Sequence, residues 1–282
     1  MNVLITGGSG YIGSAVLQVL REHGHRVRAA VRGEEAAGTV TAAGAEAAVG
    51  DITDVAWLAG QLRGVDGAIH LAALAPDGDD AVLAAVHEAF SGTSKPFVYT
   101  GGVWTWGSNP DITEDSEEHP TALTAWRVDR KKRLLDFGLK ASVISPSLVY
   151  GHGKGIPAGM FTYGPRTEDG ALRLVGSGAQ RWPTVHVEDI ADLYVAVLER
   201  APGGEQYIAA SGVNPTVREM AQAAVGPAGA VAPESDDDTR ARLGGPFADA
   251  LLLDQQASGA RAKQRFGWAP SRPSVLAELA PR

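Results

Sequence analysis

The octapeptide TGGSGYIG, residues 6–13, constrains this chain more than any other stretch. It follows a short apolar run at residues 3–6, too short for a helix. It precedes SAVLQVLREH, residues 14–23, which places Val16, Leu17 and Leu20 on one helical face before Gly24 stops the helix. A glycine triplet between a strand and a helix is an anion cradle. Gly7 permits the tight turn. Gly10 lets the backbone approach a pyrophosphate, which the helix N-terminus attracts, and Gly13 lets the helix pack closely on the strand. Tyr11 and Ile12 stand between the last two glycines and complete the candidate contacts.

The rhythm of the first half agrees with this reading. HRVRAAVR, a polar and small-residue stretch, AEAAVGDITD, a short helix near 57–62, DGAIHLAA, a helix at about 81–90 and KPFVYTGG succeed one another. Strands alternating with helices at this spacing predict an α/β fold, a doubly wound parallel sheet with helices on both faces. ASVISPSLVYG continues the pattern. Residues 153–182 are glycine-rich, interrupted by Pro157 and Pro165, and read as loop. SDDDTRARLGG, residues 235–245, reads as an exposed loop or helix start.

Composition excludes several functions. The 282 residues carry a net charge of −8, which argues against a general nucleic-acid binder. The chain has no cysteine, so disulfides, thiolate metal sites and thiol nucleophiles are excluded. No pair of its seven histidines has metal-ligand spacing, and His23 and His25 flank a turn, so no metal is expected. No apolar run reaches about 18 residues, and a strand begins at residue 2. The expectation is a cytoplasmic protein that neither spans a membrane nor carries a signal peptide.

The end of the second strand reports on the nucleotide. A carboxylate there would accept bonds from the ribose 2′-hydroxyl of NAD. RVRAAVR instead ends in Val31 and Arg32, with no acid before Glu34 and Glu35. Arg32 suits a 2′-phosphate, with Arg28 as a second candidate, and the expected cofactor is NADP. Asp51 and Ile52 in GDITD are placed to flank an adenine. Ala72 and Ala73 in HLAA leave room for backbone to pass close to the cofactor.

With TGGSGYIG, GDITD, VDGAIHLAA, FVYTGGVWTWG, SLVYGHG, RWPTVHVEDIADLYVAVLE, TVREMAQAA and RAKQRFGWAP, the chain resembles the short-chain dehydrogenase/reductase superfamily over nearly its whole length. The resemblance is to the extended or atypical, NAD-dependent epimerase/dehydratase-like branch. It implies a Rossmann-type domain, expected over 1–152 plus about 182–210. A small C-terminal substrate-binding portion is expected over about 153–181 and 211–282. It also implies a Ser/Thr, a Tyr and a Lys in the active site, the last two spaced Y-x-x-x-K.

At those positions the chain departs from the pattern. Trp126 stands at the tyrosine position and Arg130 at the lysine position, four residues apart on one helix face; Arg127 is the rival cation. Indole N–H donates a hydrogen bond but no proton at neutral pH. Arginine keeps the charge in a planar fork. Gly101 or Gly102 replaces the serine, with Thr100 the nearest hydroxyl. Tyr150 and His152 follow a strand end, where α/β sites assemble. His186 reads as structural. Trp104, Trp106, Trp126 and Trp182 would line an aromatic pocket if they converge.

Two functions follow. One is an NADP-dependent oxidoreductase acting on a small, aromatic or polyketide-like carbonyl or hydroxyl compound. In it Trp126 walls the pocket, Arg130 supplies fixed positive charge, and the proton comes from Tyr150, His152 or water. The other keeps the fold without net hydride transfer, as a lyase, cyclase, isomerase or cofactor-sensing regulator. Arg127, Arg130, Lys131, Lys132 and Arg133 on the helix through which relatives dimerise disfavour a dry interface, so a monomer or weak homodimer is expected.

Overall fold

A computed structural model describes residues 1–281. The first half is a strict alternation: β1 (Asn2–Thr6), α1 (Tyr11–Glu22), β2 (Arg26–Val31), α2 (Glu34–Ala42), β3 (Glu46–Val49), α3 (Val55–Arg63), β4 (Gly67–His70), α4 (Pro76–Phe90) and β5 (Phe97–Thr100). A 3₁₀ turn at Val103–Trp106 leads to β6 (Asn109–Ile112), α5 (Ala125–Asp136), β7 (Ala141–Pro146) and β8 (Leu148–Gly151). A helical turn α6 (Gly155–Pro157), running into a π-helical turn at Ala158–Thr162, is followed by β9 (Leu172–Arg173), β10 (Thr184–His186) and α7 (Val187–Arg200). The chain ends with β11 (Glu205–Ala209), α8 (Val217–Val225), β12 (Val231–Ala232), α9 (Asp236–Leu243), α10 (Gly245–Leu251), β13 (Gln255–Ala257), α11 (Ala260–Phe266) and α12 (Val275–Leu279).

The main sheet has seven strands in the order β11-β7-β5-β4-β1-β2-β3. The pairs β1–β2, β1–β4, β2–β3, β4–β5 and β5–β7 are parallel. The chain winds outward from β1 to β3 and then returns to add β4 on the other side of β1. The crevice outside the carboxyl ends of β1 and β4 is therefore the topological switch point, where ligands bind in such sheets. This is the Rossmann-like α/β fold. Among the described residues no helix is long and apolar enough to cross a membrane.

The chain forms two compact units. One comprises Met1–Gly101, Asp129–Ile144 and Ile190–Tyr207; the other comprises Gly102–Val128, Ser145–Asp189 and Ile208–Arg282. The expected division kept residues 102–128, 145–152 and, at its approximate bounds, 182–189 and 208–210 with the sheet. Each unit has its own core. In the first, Leu4, Leu58, Val82, Val86, Phe90, Phe97 and Tyr99 pack helices onto the sheet. In the second, Trp106, Tyr150, Phe161, Trp182, Ile208, Met220 and Val275 form a separate cluster. The stretch 153–182 is no plain loop: Phe161, Leu172, Leu174, Val175 and Trp182 in it are buried. Its glycines masked an apolar content too dispersed to show a period. SDDDTRARL forms α9, capped by Ser235, whose side chain accepts from the Asp238 N–H.

Other boundaries moved for identifiable reasons. Helix α1 opens at Tyr11, with Gly10 as its N-cap, and α4 opens at Pro76, which as a first-turn residue needs no N–H partner. α2 was unmarked in the sequence because EEAAGTVTA buries only Ala37 and Val40 and shows little amphipathicity.

Candidate active site

The crevice at the switch point holds a cavity of about 590 Å³, lined by the glycine turn, the end of β2, Ile52 and residues 71–74. Its floor depends on missing side chains. Gly7 has φ +72°, and a Cβ there would lie 2.6 Å from the Ala72 nitrogen. A Cβ on Gly13 would lie 2.0 Å from the Gly7 carbonyl oxygen. Gly13 is thus required by the turn itself. The Gly10 N–H donates to that same carbonyl at 2.9 Å and closes the turn. Gly10 then caps α1 without a side chain, so the first N–H groups of the helix face a cradle open to an anion.

Gly7, Gly10, Tyr11, Ile12, Gly13, Arg32, Ile52, Ala72 and Ala73 all line this cavity. Arg32 is exposed there, directly after β2. Arg28 is instead engaged by Glu46 at 3.0 Å. Asp51 accepts from the Thr53 N–H at 2.9 Å and from the Thr53 hydroxyl at 2.8 Å. Those bonds, with a smaller effect from the Arg32 charge, hold its carboxyl below the ordinary range.

A buried chain of polar groups backs the cavity. Tyr99 donates its hydroxyl to Asp79 at 2.6 Å. Asp79 lies 3.3 Å from His70 Nε2, and His70 Nδ1 lies 2.7 Å from the Thr6 hydroxyl. Thr6 Oγ1 in turn accepts from the Leu71 and Ala72 N–H groups at 3.3 and 3.4 Å. Because Thr6 Oγ1 accepts from the backbone, its own hydrogen goes to His70 Nδ1. His70 then carries its hydrogen on Nε2 and donates it to Asp79. Thr6, His70, Asp79 and Tyr99 are each at most 2% exposed. The run from Tyr99 to Ala72 fixes the loop after β4 against Gly7. Sequence reasoning assigned no functional role to His70, Asp79 or Tyr99. The one available signal was an aspartate in the first turn of a helix facing an otherwise apolar strand.

The candidate catalytic residues are committed to local partners. Thr100 Oγ1 donates to the His70 carbonyl at 2.6 Å and lies 2.8 Å from the Tyr194 hydroxyl. The Trp126 indole N–H donates to the Leu123 carbonyl at 3.1 Å, and the Arg127 guanidinium stacks 4.2 Å over its ring. Arg130 pairs with Asp80 at 2.5 Å, and Arg133 binds the other oxygen of the same carboxylate. Tyr150 is buried, donates to the Pro273 carbonyl at 2.8 Å, and burial raises its pKa well above the ordinary phenol value. His152 adopts φ +55° and pairs with Glu188 at 2.8 Å. His186 is buried beneath the rings of Tyr150 and His152, and its Nδ1 accepts from the Glu188 N–H. Burial depresses its pKa, only partly offset by Glu188 and Asp189. Trp106 and Trp182 are core residues, and Trp104 packs edge-on against Phe247. Histidine spacing carries no metal signal, yet the fold gathers His23, His25 and Glu199 into one cluster.

Residues 1–100 match the NmrA-like family, and residues 130–210 match the NAD dependent epimerase/dehydratase family. An uncharacterized protein of Saccharomyces cerevisiae is 32% identical over 221 residues, covering 73% of this chain and 74% of that protein. The chain belongs to the extended, epimerase/dehydratase-like short-chain dehydrogenase/reductase superfamily. Within this superfamily it is similar to a 4-hydroxy-2-methyl-3-oxo-4-farnesyl-3,4-dihydroquinoline-1-oxide ketoreductase of Stigmatella aurantiaca, 28% identical over 78% of this chain and 71% of that protein. Its fold matches the crystal structure of the Thermus thermophilus UDP-glucose 4-epimerase in complex with NAD. The TM-score is 0.76, with 21% identity and coverage of 99% of this chain and 97% of that one. Trp126 and Arg130 are both turned to partners supplied by the chain itself.

Proposed function

We propose that this superfamily member is an NADP-dependent oxidoreductase that interconverts a small carbonyl compound and its alcohol, with water as the proton source. The observation that carries the reading is Arg32, exposed in the cavity at the end of β2 where an acid would select NAD. The cradle left by Gly7, Gly10 and Gly13 fits a pyrophosphate, with N–H groups of the first turn of α1 as donors. Arg32 fits a 2′-phosphate, and Ile52 offers the adenine an apolar side. A bound nicotinamide supplies or accepts the hydride. The similarity to a ketoreductase supports a carbonyl as the acceptor. Water as proton source is supported by the engagement of the other two candidates: Tyr150 spends its hydrogen on the Pro273 carbonyl, and His152 is held by Glu188.

Titration calorimetry and isotope transfer test this directly. A charge-assisted contact from Arg32 to the 2′-phosphate is worth about 1.5–3 kcal/mol, or roughly 10- to 100-fold in affinity. NADPH is expected to bind that much more tightly than NADH, and Arg32→Ala to remove the difference while leaving NADH binding nearly unchanged. With 4-deuterated NADPH and a panel of small ketones, label is expected in the alcohol product. Equal affinities would remove the NADP assignment. Turnover with all label retained on the cofactor would replace the redox reading with a lyase, cyclase or isomerase on the same fold.

A further inference from the structure

We propose that His23, His25 and Glu199 form a surface binding site for one zinc ion, which staples the end of α1 and the start of β2 to the last turn of α7. His23 is the C-cap of α1, and Gly24, at φ +77°, reverses the chain so that His25 stands just before β2. The reversal brings both imidazoles to the same side, stacked with ring centroids 6.4 Å apart and planes 21° apart. Glu199, 174 residues beyond His25, closes the group: its Oε1 lies 3.2 Å from His23 Nδ1 and 2.9 Å from His25 Nε2. The three ligand atoms all lie within 4.8 Å of one another. Zinc binds imidazole nitrogen at about 2.0–2.1 Å and carboxylate oxygen at about 2.0–2.2 Å, so tetrahedral neighbours stand roughly 3.3–3.4 Å apart. Small side-chain rotations open the observed spacings to that value.

The donor set selects the ion. Two imidazoles and one carboxylate suit zinc or a neighbouring transition metal, while calcium and magnesium call for oxygen ligands throughout. The fourth position is left to water, because the His23 side chain is 48% exposed and the site opens to solvent. Burial opposes ionisation of Glu199, but hydrogen bonds from His25 and His23 outweigh it, so the carboxylate is already charged. On binding, each ring moves its hydrogen to the nitrogen that does not face the metal. For His25 that is Nδ1, because Nε2 faces Glu199. His23, His25 and Glu199 do not line the dinucleotide cavity, so the staple is separate from the proposed chemistry.

The test uses tag-free protein, stripped with chelator and titrated with zinc chloride, alongside thermal melts. One zinc per chain is expected, with Tm raised by roughly 5 °C at a hundredfold excess over Kd, and magnesium chloride giving no shift. Cobalt(II) in place of zinc is expected to give the intense visible absorption of a four-coordinate site. His23→Ala and Glu199→Gln, both at exposed positions, are expected to fold, bind NADPH as the parent does, and lose stoichiometric zinc and the Tm shift. No binding by the parent would overturn the proposal. Binding retained in both variants would overturn it equally, by placing the ion elsewhere.

Discussion

At the scale of single residues, buried polar groups here act through one another. Asp79 is 2% exposed and accepts from Tyr99 and His70. Removing it leaves a phenol O–H and an imidazole N–H without that acceptor in a dry interior, at a cost of about 3 kcal/mol or more. Tyr99→Phe removes one donor and leaves the carboxylate its other partner, at a cost nearer 1–2 kcal/mol. Chemical denaturation of Asp79→Ala and Tyr99→Phe is expected to show that ranking, with unchanged m-values. Dinucleotide affinity is expected to fall in Asp79→Ala, because His70 then no longer positions Thr6 and the loop at Ala72. Equal stability losses, or full affinity in Asp79→Ala, would show the chain of bonds to be ornamental. Arg130 teaches a related lesson. Its position in the sequence suggested a fixed charge offered to a ligand, whereas the fold gives that charge to Asp80, in company with Arg133.

At the scale of elements, glycine has opposite meanings in neighbouring helices. In α1 the Gly13 position faces the Gly7 carbonyl so closely that a methyl group would sit 2.0 Å from it. Gly13→Ala is therefore expected to displace the turn and weaken NADPH binding by at least tenfold, since the cradle and the first N–H groups of α1 move together. In α2, Gly38 is exposed and a Cβ there meets nothing within 4 Å. Gly38→Ala is expected to stabilise by about 0.5–1 kcal/mol through helix propensity and a less disordered unfolded chain. Calorimetric melts of the pair, read with NADPH titrations, check both signs. The same contrast explains what was legible in the sequence. TGGSGYIG could be read because strand, turn and helix each need a specific residue type there. The strand–helix alternation of residues 1–100 was legible because apolar runs and breakers alternate sharply. α2 and the stretch 153–182 were not, since their buried residues are few or scattered among glycines. The network through Asp79 and the meeting of His23 and His25 with Glu199 were invisible, because pairing across 9 to 176 residues is set by topology.

At the scale of the whole molecule, titration ties stability to pH. Acidic side chains outnumber basic ones, and several carboxyls are held below their ordinary values by local hydrogen bonds, among them Glu199, Glu219 and Asp51. A depressed folded-state pKa means that the unfolded chain takes up protons first. The stability such groups contribute is present above the ordinary carboxylate pKa and is lost as pH falls through the folded values. These carboxyls lie near the surface, so solvent screens them and each contributes little. His186 has the same sign at a higher pH. Its ordinary value is 6.5 and burial lowers it in the folded protein. Above 6.5 both states hold it neutral. As pH falls from 6.5 towards the folded value, the unfolded state gains a proton that the folded state refuses, and stability drops. Tm is therefore expected to be flat just above neutrality, to decline as pH falls below 6.5 towards the folded His186 value, and to fall again as the carboxyls protonate. Gln in place of His186 is uncharged throughout, so His186→Gln is expected to melt with a shallower slope in the upper window and an unchanged slope in the lower one. Proton NMR titration of the His186 ring supplies the direct reading. A folded-state pKa at or above 6.5 would contradict the burial argument, whereas a depressed value would identify the ring as one built to remain neutral between Tyr150 and His152.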